Sequence, residues 1–499
     1  MEALSTPEGP PGPELSRGAV GRLTDRRLWA VLLLGLSLSL GSVLRLWLAT
    51  HDDGIFWPDE IYQSLEPAHR LVFGYGILPW EFQVGARSWA FPGFVALLLK
   101  VCALAGLTDP RSYVIVVRVV FCLIGVATAA ATFQLASALG TSALSAAVGA
   151  SLFALTAPAI FFAPRAMAES ASALLVVLGL TLAMRPRSNW KLTLGMALLA
   201  AAVFLRLQNA IFGLGLVGVL ALGGRKRPAL VALTTFAAGM VVFGVLDAVT
   251  WGSLFHSATI YLRTNLVEGR AAGWGTSWIG YYPVTLVRSM GLAGFLMLAL
   301  GAVAMRRSFG LWLLAAAFLV AHSLIPHKEL RFLLPALPLF CALAAIGLDE
   351  VRSLAPVWLF RSLTVLVLAS VLLSAATFHR LTFRDLGGPY LEVQPADSAY
   401  DNSGSVNRLL FVANRRPDLC GLEIQSVQLH RTGGYSYLHR RVPLYGPDGP
   451  APESQKFNYV IASVGSTAAA QVVAVDGNQA LARLPATACR PDPGYTPRL

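Results

Sequence analysis

Residues 28–60 read LWAVLLLGLSLSLGSVLRLWLATHDDGIFWPDE. From Leu28 to Leu48 the run is largely apolar, and a helix of about 20 such residues crosses the hydrocarbon core of a bilayer. The character then changes abruptly, with Asp52, Asp53, Asp59 and Glu60 arriving beside Phe56 and Trp57. This reads as a membrane span that empties into an acidic, aromatic loop. Upstream, residues 1–16 are rich in Pro, Gly, Ser and Glu, a composition that buries too little apolar surface to order itself. Arg17, Arg22, Arg26 and Arg27 follow. The apolar run is long for a signal-peptide core and the tail is long for its basic head. The reading is therefore a retained signal-anchor span, with residues 1–27 as a disordered cytoplasmic tail.

The rest of the chain has the same balance. Of 499 residues, 55% are hydrophobic and only 13% charged, against about 25% charged in soluble domains. So much apolar surface requires lipid as its solvent. The net charge of +12 fits cytoplasmic anchoring of spans. No stretch mixes dense Lys/Arg with surface aromatics, so nucleic acid is excluded as a partner. Cys102, Cys122 and Cys341 lie in apolar runs and read as core packing. Cys420 and Cys489 lie in a polar region and can pair only if that region faces an oxidising compartment. No Cys/His cluster has metal spacing, and no metal or cofactor is predicted.

Further apolar runs lie near 89–107, 113–135, 143–162, 170–184, 192–205, 210–222, 229–250, 284–304, 310–325, 332–348 and 360–376. Arg185, Arg187 and Lys191, then Arg225, Lys226 and Arg227, then Arg306 and Arg307, mark three cytoplasmic turns. With the N-terminus inside, loop 51–88 lies outside. The twelve runs then give the wrong parity for the later basic turns. An odd number of spans, 11 or 13, restores it, with the ambiguity placed in 113–162. The fold class predicted is an α-helical polytopic membrane protein over residues 28–378. Residues 379–499 hold no spanning run and read as a small mixed α/β or β-rich extracytoplasmic domain. Its β-like runs are Leu409-Leu-Phe-Val412, Tyr459-Val-Ile-Ala462 and Gln471-Val-Val-Ala-Val475.

Loop 51–88 carries six acids, Asp52, Asp53, Asp59, Glu60, Glu66 and Glu81, against Arg70 and Arg87. Carboxylates that accept hydroxyl hydrogen bonds, with rings to cover an apolar sugar face, suit a carbohydrate. Pro58 suits the first position of a helix, and Asp59 and Glu60 in its first turn complement the helix dipole. That helix start explains both acids without any chemistry. Asp59, Gln63 and Glu66 fall on one face at i, i+4 and i+7, and Pro67 is expected to kink or end the helix. Asp52 and Asp53 read as solvated flanks.

A second constellation, Pro326-His-Lys-Glu-Leu-Arg-Phe332, sits between two apolar runs. Four ionisable residues there are expensive unless used, and His327, Lys328 and Arg331 would attract a phosphate. A snorkelling interfacial loop is the plainer explanation. Arg206, Gln208 and Asn209 form a weaker case of the same kind.

Taken in order, Trp57-Pro-Asp-Glu-Ile-Tyr-Gln-Ser-Leu-Glu-Pro-Ala-His69, Gly74-Tyr-Gly76, Trp80-Glu81, Arg87-Ser88, Pro92, Arg206-Leu-Gln-Asn209 and His327-Lys-Glu-Leu-Arg-Phe332 resemble glycosyltransferase family 22. The resemblance covers about residues 28–376. Members have the GT-C fold and add α-mannose from dolichol-phosphate-mannose in N-glycan and GPI-anchor assembly. The resemblance implies a polyprenyl-phosphate-mannose donor in the membrane, a hydroxyl of a glycan or glycolipid as acceptor, and inversion through one general base. It places that base on Asp59, with Glu60 as the other candidate. It assigns Glu66, His69, Trp80, Glu81 and Arg87 to the sugar pocket, and His327, Lys328 and Arg331 to the donor phosphate, with Glu329 counted in the substrate-binding set. Arg206, Gln208 and Asn209 join the substrate-binding set. The C-terminal stretch Thr432-Gly-Gly-Tyr-Ser-Tyr-Leu-His-Arg440 is similar to the lumenal tail of GPI-type members only loosely. An Ala/Leu/Arg-rich composition suits a high-GC bacterium, hence an inner-membrane enzyme with an extracytoplasmic site, or a lumenal one in the endoplasmic reticulum of a eukaryote. Two other readings stand beside this one: a GT-C enzyme moving a different sugar, and a transporter of lipid-linked saccharides, for which an internal repeat is the missing feature.

Overall fold

The computed structural model describes residues 17–387, 393–447, 456–466, 470–485, 489–491 and 495, with side chains from residue 27 onward. The protein is a polytopic α-helical membrane protein with a small five-stranded sheet near its C-terminus. The first helix, Arg17–His51, starts eleven residues before the predicted span. Its opening turns are rich in Arg and Leu, which propagate a helix well. The predicted disordered tail is thus shortened, and residues 1–16 lie outside the described residues.

Four helices have the length and apolarity to cross a bilayer unaided: 27–51, 110–138, 226–251 and 357–380. Shorter apolar helices fill the space between them. Their connections sort into two layers. One layer holds the basic turns, where the Arg185 guanidinium donates to the Leu139 carbonyl at 3.0 Å and Arg307 pairs with Asp349 at 2.6 Å. The other holds loop 51–88, reached by Arg165, Arg331 and the indole of Trp251. Among the described residues the chain passes between the layers eleven times.

The parity problem is resolved in a different place from the one predicted. Residues 113–162 supply two ordinary crossings, Pro110–Ala138 and Ala143–Leu155, the second extended by the short helix Ala157–Phe161. The run 89–107 does not cross. Its helix, Ala90–Leu104, begins beside Trp251 and is followed by Asp109, which pairs with Arg415 of the C-terminal region at 3.5 Å. Both ends therefore lie in the loop layer. The helix buries Phe91, Val95 and Leu99 and leaves Leu97, Val101 and Leu104 exposed, an apolar stripe of the kind that rests in a membrane interface.

The break between residues 155 and 157 is held by a buried charge. Arg45 is fully buried within the first helix, and its guanidinium donates to the carbonyls of Ala154, Phe153 and Ala159 at 2.5, 3.3 and 3.2 Å. These are carbonyls that a helix end with a proline at residue 158 leaves without a helical partner.

The C-terminal sheet has the order β2-β1-β3-β5-β4, with β1 Leu422–Ile424, β2 Leu444–Tyr445, β3 Tyr459–Ser463, β4 Gln471–Asp476 and β5 Gln479–Arg483. β1 pairs in parallel with β2 and β3, while β5 pairs antiparallel with β3 and β4. Two of the three predicted β-like runs form strands. The third, Leu409–Val412, lies in the helix Gly404–Asn414, since a short apolar run cannot by itself distinguish a strand from a buried helix. Cys420 and Cys489 are joined by a disulfide, with their Cα atoms 6.3 Å apart. The sheet does not close a separate core. Leu422, Ile461 and Leu481 pack in one apolar cluster with Ile61, Leu65 and Ile77 of loop 51–88.

Candidate active site

The loop leaves the first helix and turns at Pro58, whose carbonyl accepts from the amides of Ile61 and Tyr62. Asp59 and Glu60 open the new helix, as the sequence predicts. A π-helical turn, Ile61–Leu65, comes next and runs into an α-helix, Glu66–Phe73. Pro67 neither ends nor kinks the chain out of the helix. The wide π turn accommodates the proline ring, and the helix continues to Gly74, whose φ of +82° closes it. The extra residue in the turn also divides the predicted face. Gln63 stays with the acids near Asp59, while Glu66 is rotated away.

On the Asp59 side, six acidic or basic groups meet. The Asp59 carboxylate accepts from Arg331 at 2.7 Å. Arg331 is held from behind by Glu329 at 2.6 Å and by Glu169 at 3.2 Å, and Glu169 in turn accepts from Arg206 at 2.6 Å. Arg331 and its two rear acids are nearly sealed, while the Asp59 side chain is 22% exposed. Phe332 lies against both guanidinium groups, 5.0 Å from that of Arg331 and 4.7 Å from that of Arg206. His327 completes the chain by bonding Glu329 at 2.8 Å. Burial pushes the Glu329 pKa up, but Arg331 and His327 outweigh it and hold it at about 2. Glu329 is thus a fixed negative charge that orients its neighbours.

Beside this network a cleft is lined by Gln63, Arg87, Arg206, Gln208 and Tyr261. Gln63 donates to Glu81 at 2.9 Å, Arg87 lies 4.0 Å from the same carboxylate, and the Arg87 guanidinium sits 5.4 Å over the Tyr261 ring. Gln208 donates to the Tyr261 hydroxyl at 2.5 Å. Burial raises the Glu81 pKa; Arg87 opposes that and the nearby Asp59 adds to it. Trp80 carries Arg270 at 5.9 Å over its ring. The cleft therefore sets amide, guanidinium and phenol groups among apolar walls that include Phe82, Phe91, Phe204 and Phe243, with the Glu81 carboxylate behind Gln63 and Arg87.

Several predicted site residues are elsewhere or otherwise engaged. Glu60 is buried, bonded through both oxygens to Arg165 at 2.9 Å and capped by the amides of Phe56 and Trp57 at 2.6 and 3.2 Å. It has no free face for a proton to reach. Asp52 and Asp53 are not solvated flanks: both are buried, Asp52 on Arg165 at 2.8 Å and Asp53 on Arg118 at 3.3 Å. Glu66 and His69 are fully buried against the C-terminal region rather than in the cleft. Asn209 donates to the Ala202 carbonyl at 2.9 Å and serves the end of its own preceding helix. Lys328 is buried with its ammonium on the carbonyls of Ser277 and Ile325 at 2.8 and 2.7 Å, and His327 rests on the Gly275 carbonyl at 3.1 Å. In this arrangement the loop 275–277 occupies two of the groups predicted to hold a phosphate.

Three residues that matter were not singled out as site residues: Glu169, Arg165 and Tyr261. The first two had a signal. Each is a charged residue in or beside an apolar run, which is costly unless paired. Tyr261 had none, since its position depends on how the segment after Trp251 folds back.

Fold and site together define an integral membrane protein of the GT-C class, with its charged site in the layer between the helices and the C-terminal sheet. The Alg9-like mannosyltransferase family matches residues 37–439, and the chain belongs to that family. It is 33% identical over 315 residues to a GPI mannosyltransferase 3 of Yarrowia lipolytica, across 62% of this chain and 61% of that one. Against a GPI alpha-1,2-mannosyltransferase 3 of Danio rerio it is 27% identical over 66% of this chain and 63% of the relative. The chain thus spans about three-fifths of the length of these curated relatives. Among solved structures, ArnT from Cupriavidus metallidurans bound to undecaprenyl phosphate superposes with a TM-score of 0.58 at 14% identity, covering 93% of this chain and 99% of that one. An Archaeoglobus fulgidus oligosaccharyltransferase gives a TM-score of 0.53 at 13% identity over 86% of this chain and 68% of its own. At these identities the likeness concerns the fold.

Proposed function

We propose that the protein transfers mannose from a polyprenyl-phosphate-linked donor to a hydroxyl of a lipid-linked glycan, with inversion, on the extracytoplasmic or lumenal face of its membrane. The observation that carries this reading is the contact between Asp59 and Arg331. It joins the two constellations that the family resemblance separates by more than 250 positions, and it leaves one partly exposed carboxylate, Asp59, on an arginine whose rear partners are sealed. Membership of the family and the relatives' names support mannose as the sugar. The GT-C fold supports a donor that reaches the site from the membrane.

The chemistry is a single displacement. The acceptor hydroxyl attacks C1 of the sugar from one face as the C1–O bond to phosphate breaks on the other. Asp59 takes the hydroxyl proton, and the phosphate leaves with the bonding pair as a polyprenyl phosphate. Arg331 fixes the orientation of Asp59, because its other donors are committed to Glu329 and Glu169. Gln63, Glu81, Arg87, Gln208 and Tyr261 hold sugar hydroxyls, with Trp80 as an apolar platform. Arg206, His327 and Lys328 supply positive charge for the departing phosphate, with His327 and Lys328 exchanging the carbonyls of residues 275–277 for phosphate oxygens.

The test uses the full chain in lipid, polyprenyl-phosphate-mannose, and a panel of mannose-terminated glycolipid acceptors, with Asp59→Asn alongside. General-base removal is worth about 10²–10⁴-fold, so kcat should fall by at least about 10²-fold while the variant stays folded. Transfer that survives Asp59→Asn removes the base assignment. Transfer only from a different sugar donor favours the other-sugar reading.

A further inference from the structure

The Thr432–Arg440 stretch has no part in the cleft, yet it bonds the loop helix at several points. It lies over the start of the loop helix. The Glu66 carboxylate accepts from the backbone amide and the hydroxyl of Ser436, the latter at 2.7 Å, and its second oxygen accepts from the amide of Ile77 at 2.7 Å. One turn earlier, the Tyr62 hydroxyl donates to the Leu429 carbonyl at 2.6 Å and lies 3.1 Å from that of Thr432. One turn later, His69 meets His439 at 2.9 Å between ring nitrogens. Gly434, at φ +53°, passes so close that a Cβ there would stand 2.8 Å from a Glu66 oxygen.

This is an unusual way to hold two elements together. Glu66 is fully buried, and among the described residues no Lys or Arg lies within ion-pair distance of it. A buried carboxylate without a cation is costly, and an apolar contact of the same size would hold the two parts together at less expense. What the carboxylate supplies is geometry. Three donors from two separate segments converge on it and fix the rotation of the helix at one residue. That residue stands directly after the π turn, and seven positions after Asp59. The π turn breaks the α-helical register between Asp59 and Glu66, and the clamp fixes the rotation of the chain on its far side.

We propose that Glu66 and Ser436 form a positioning clamp through which the C-terminal region sets the orientation of Asp59 against Arg331. The clamp makes the C-terminal region a part of the catalytic apparatus, although none of its described residues lines the cleft. The proposal rests on the reading of Asp59 as the base. Glu66 and Ser436 are positioning residues: they touch neither sugar nor phosphate.

The experiment compares Ser436→Ala, Glu66→Gln and the double variant of the full chain in lipid, with polyprenyl-phosphate-mannose and a synthetic mannose-terminated glycolipid as probes. A displacement of about 1 Å can cost on the order of 10²-fold. The expected result is a kcat lowered roughly ten- to hundredfold in each single variant, with both KM values held within about twofold. The double variant should be no slower than the slower single one, and hydrogen exchange at residues 58–66 should accelerate in all three. A rise in KM alone would return Glu66 to the sugar pocket and overturn the clamp. So would unchanged kcat, or losses that multiply in the double variant. If Glu66→Gln fails to fold, Ser436→Ala and Tyr62→Phe carry the same comparison. If turnover survives Asp59→Asn, the base reading fails separately; the clamp is then decided by exchange, and unaltered exchange at 58–66 in Ser436→Ala overturns it.

Discussion

Asp59 and Glu60 are neighbours in the chain, and each ends on a buried arginine, but the two arginines do different work. Arg165 holds Glu60 and Asp52, and all three groups are sealed from solvent. Arg331 holds Asp59, Glu329 and Glu169, and here one of the three acids stays partly open. The first cluster ties the end of the first helix, the loop helix and the break before residue 168 into one joint. The second leaves the Asp59 carboxylate partly exposed. Pair distances do not separate them, since both fall between 2.6 and 3.2 Å. Exposure of the acid does. A buried arginine with several carboxylates is therefore not in itself the mark of a site, and the question to ask is which of its partners a substrate can still reach.

The comparison breaks most sharply at Arg165. Arg165→Met leaves Glu60 and Asp52 buried without their cation, and removing one partner of a buried pair costs about 3–5 kcal/mol. Asp52 is already strained in this sense, its pKa pushed up to about 6 by burial even with Arg165 beside it. The variant is expected to lose most of its folded yield and to melt well below the parent in a thermal scan, while the molecules that do fold keep their KM. A normal melting temperature with a strong loss of turnover would mean that Arg165 belongs to the site after all.

Arg331→Lys should show the opposite pattern. Lysine keeps the charge but cannot hold Asp59, Glu329 and Glu169 at once, because an ammonium lacks the planar fork of a guanidinium. The loss is expected in kcat, by about 10²-fold on the scale of one misplaced electrostatic group, with a much smaller fall in melting temperature than Arg165→Met gives. Steady-state kinetics and a thermal scan on the same preparations decide it. Equal damage to stability in both variants would erase the distinction between the clusters.

The contrast was only partly legible beforehand. The apolar runs, the loop and the later basic stretch announce themselves through composition, because lipid tolerates charge only where it is used. That the Asp59 loop and the Arg331 stretch serve one site was implied by resemblance rather than by spacing, but the resemblance puts Arg331 on the donor phosphate and not, as found, on Asp59. What the sequence did not disclose are the partners chosen by tertiary folding: Arg165 for Glu60, Ser436 for Glu66, and the loop 275–277 for Lys328. Each joins residues far apart in the chain, where periodicity carries no information. Two of the errors of pattern have plain local causes. A 15-residue apolar helix, Ala90–Leu104, was counted as a span because hydropathy does not tell a helix in the interface from one across it. The i, i+4, i+7 face failed at Glu66 because a π turn adds a residue to the repeat.

The smallest effect lies at the junction that Glu66 and His69 share with the C-terminal region, and it appears in full only when one of the two is removed. Burial raises the Glu66 pKa from its ordinary 4.5 to about 7, although its hydrogen bonds pull the other way. Burial lowers the His69 pKa from 6.5 to about 4, and lowers that of His439 as well. A raised carboxylate pKa gives stability that is full below pH 4.5 and lost as pH rises through about 7. A lowered histidine pKa gives stability that is full above pH 6.5 and lost as pH falls through about 4. Between those limits the folded junction holds about one proton more than the unfolded chain at Glu66 and about one fewer at His69, so the two slopes offset each other. His439, lowered in the same direction as His69, adds to the histidine slope, so the parent should lose only a little stability toward acid between pH 4.5 and 6.5. In Glu66→Gln the histidine slopes stand alone, and stability should fall more steeply toward acid, by about 1.4 kcal/mol per pH unit for each proton taken up. In His69→Gln the fall toward acid should disappear, because Glu66 is then opposed by His439 alone. Thermal scans from pH 4 to 8 on the three proteins measure this directly. If both variants keep the parent's slope, neither group is as buried as the packing of this joint requires, and the joint around Glu66 would then be partly open, as Asp59 is.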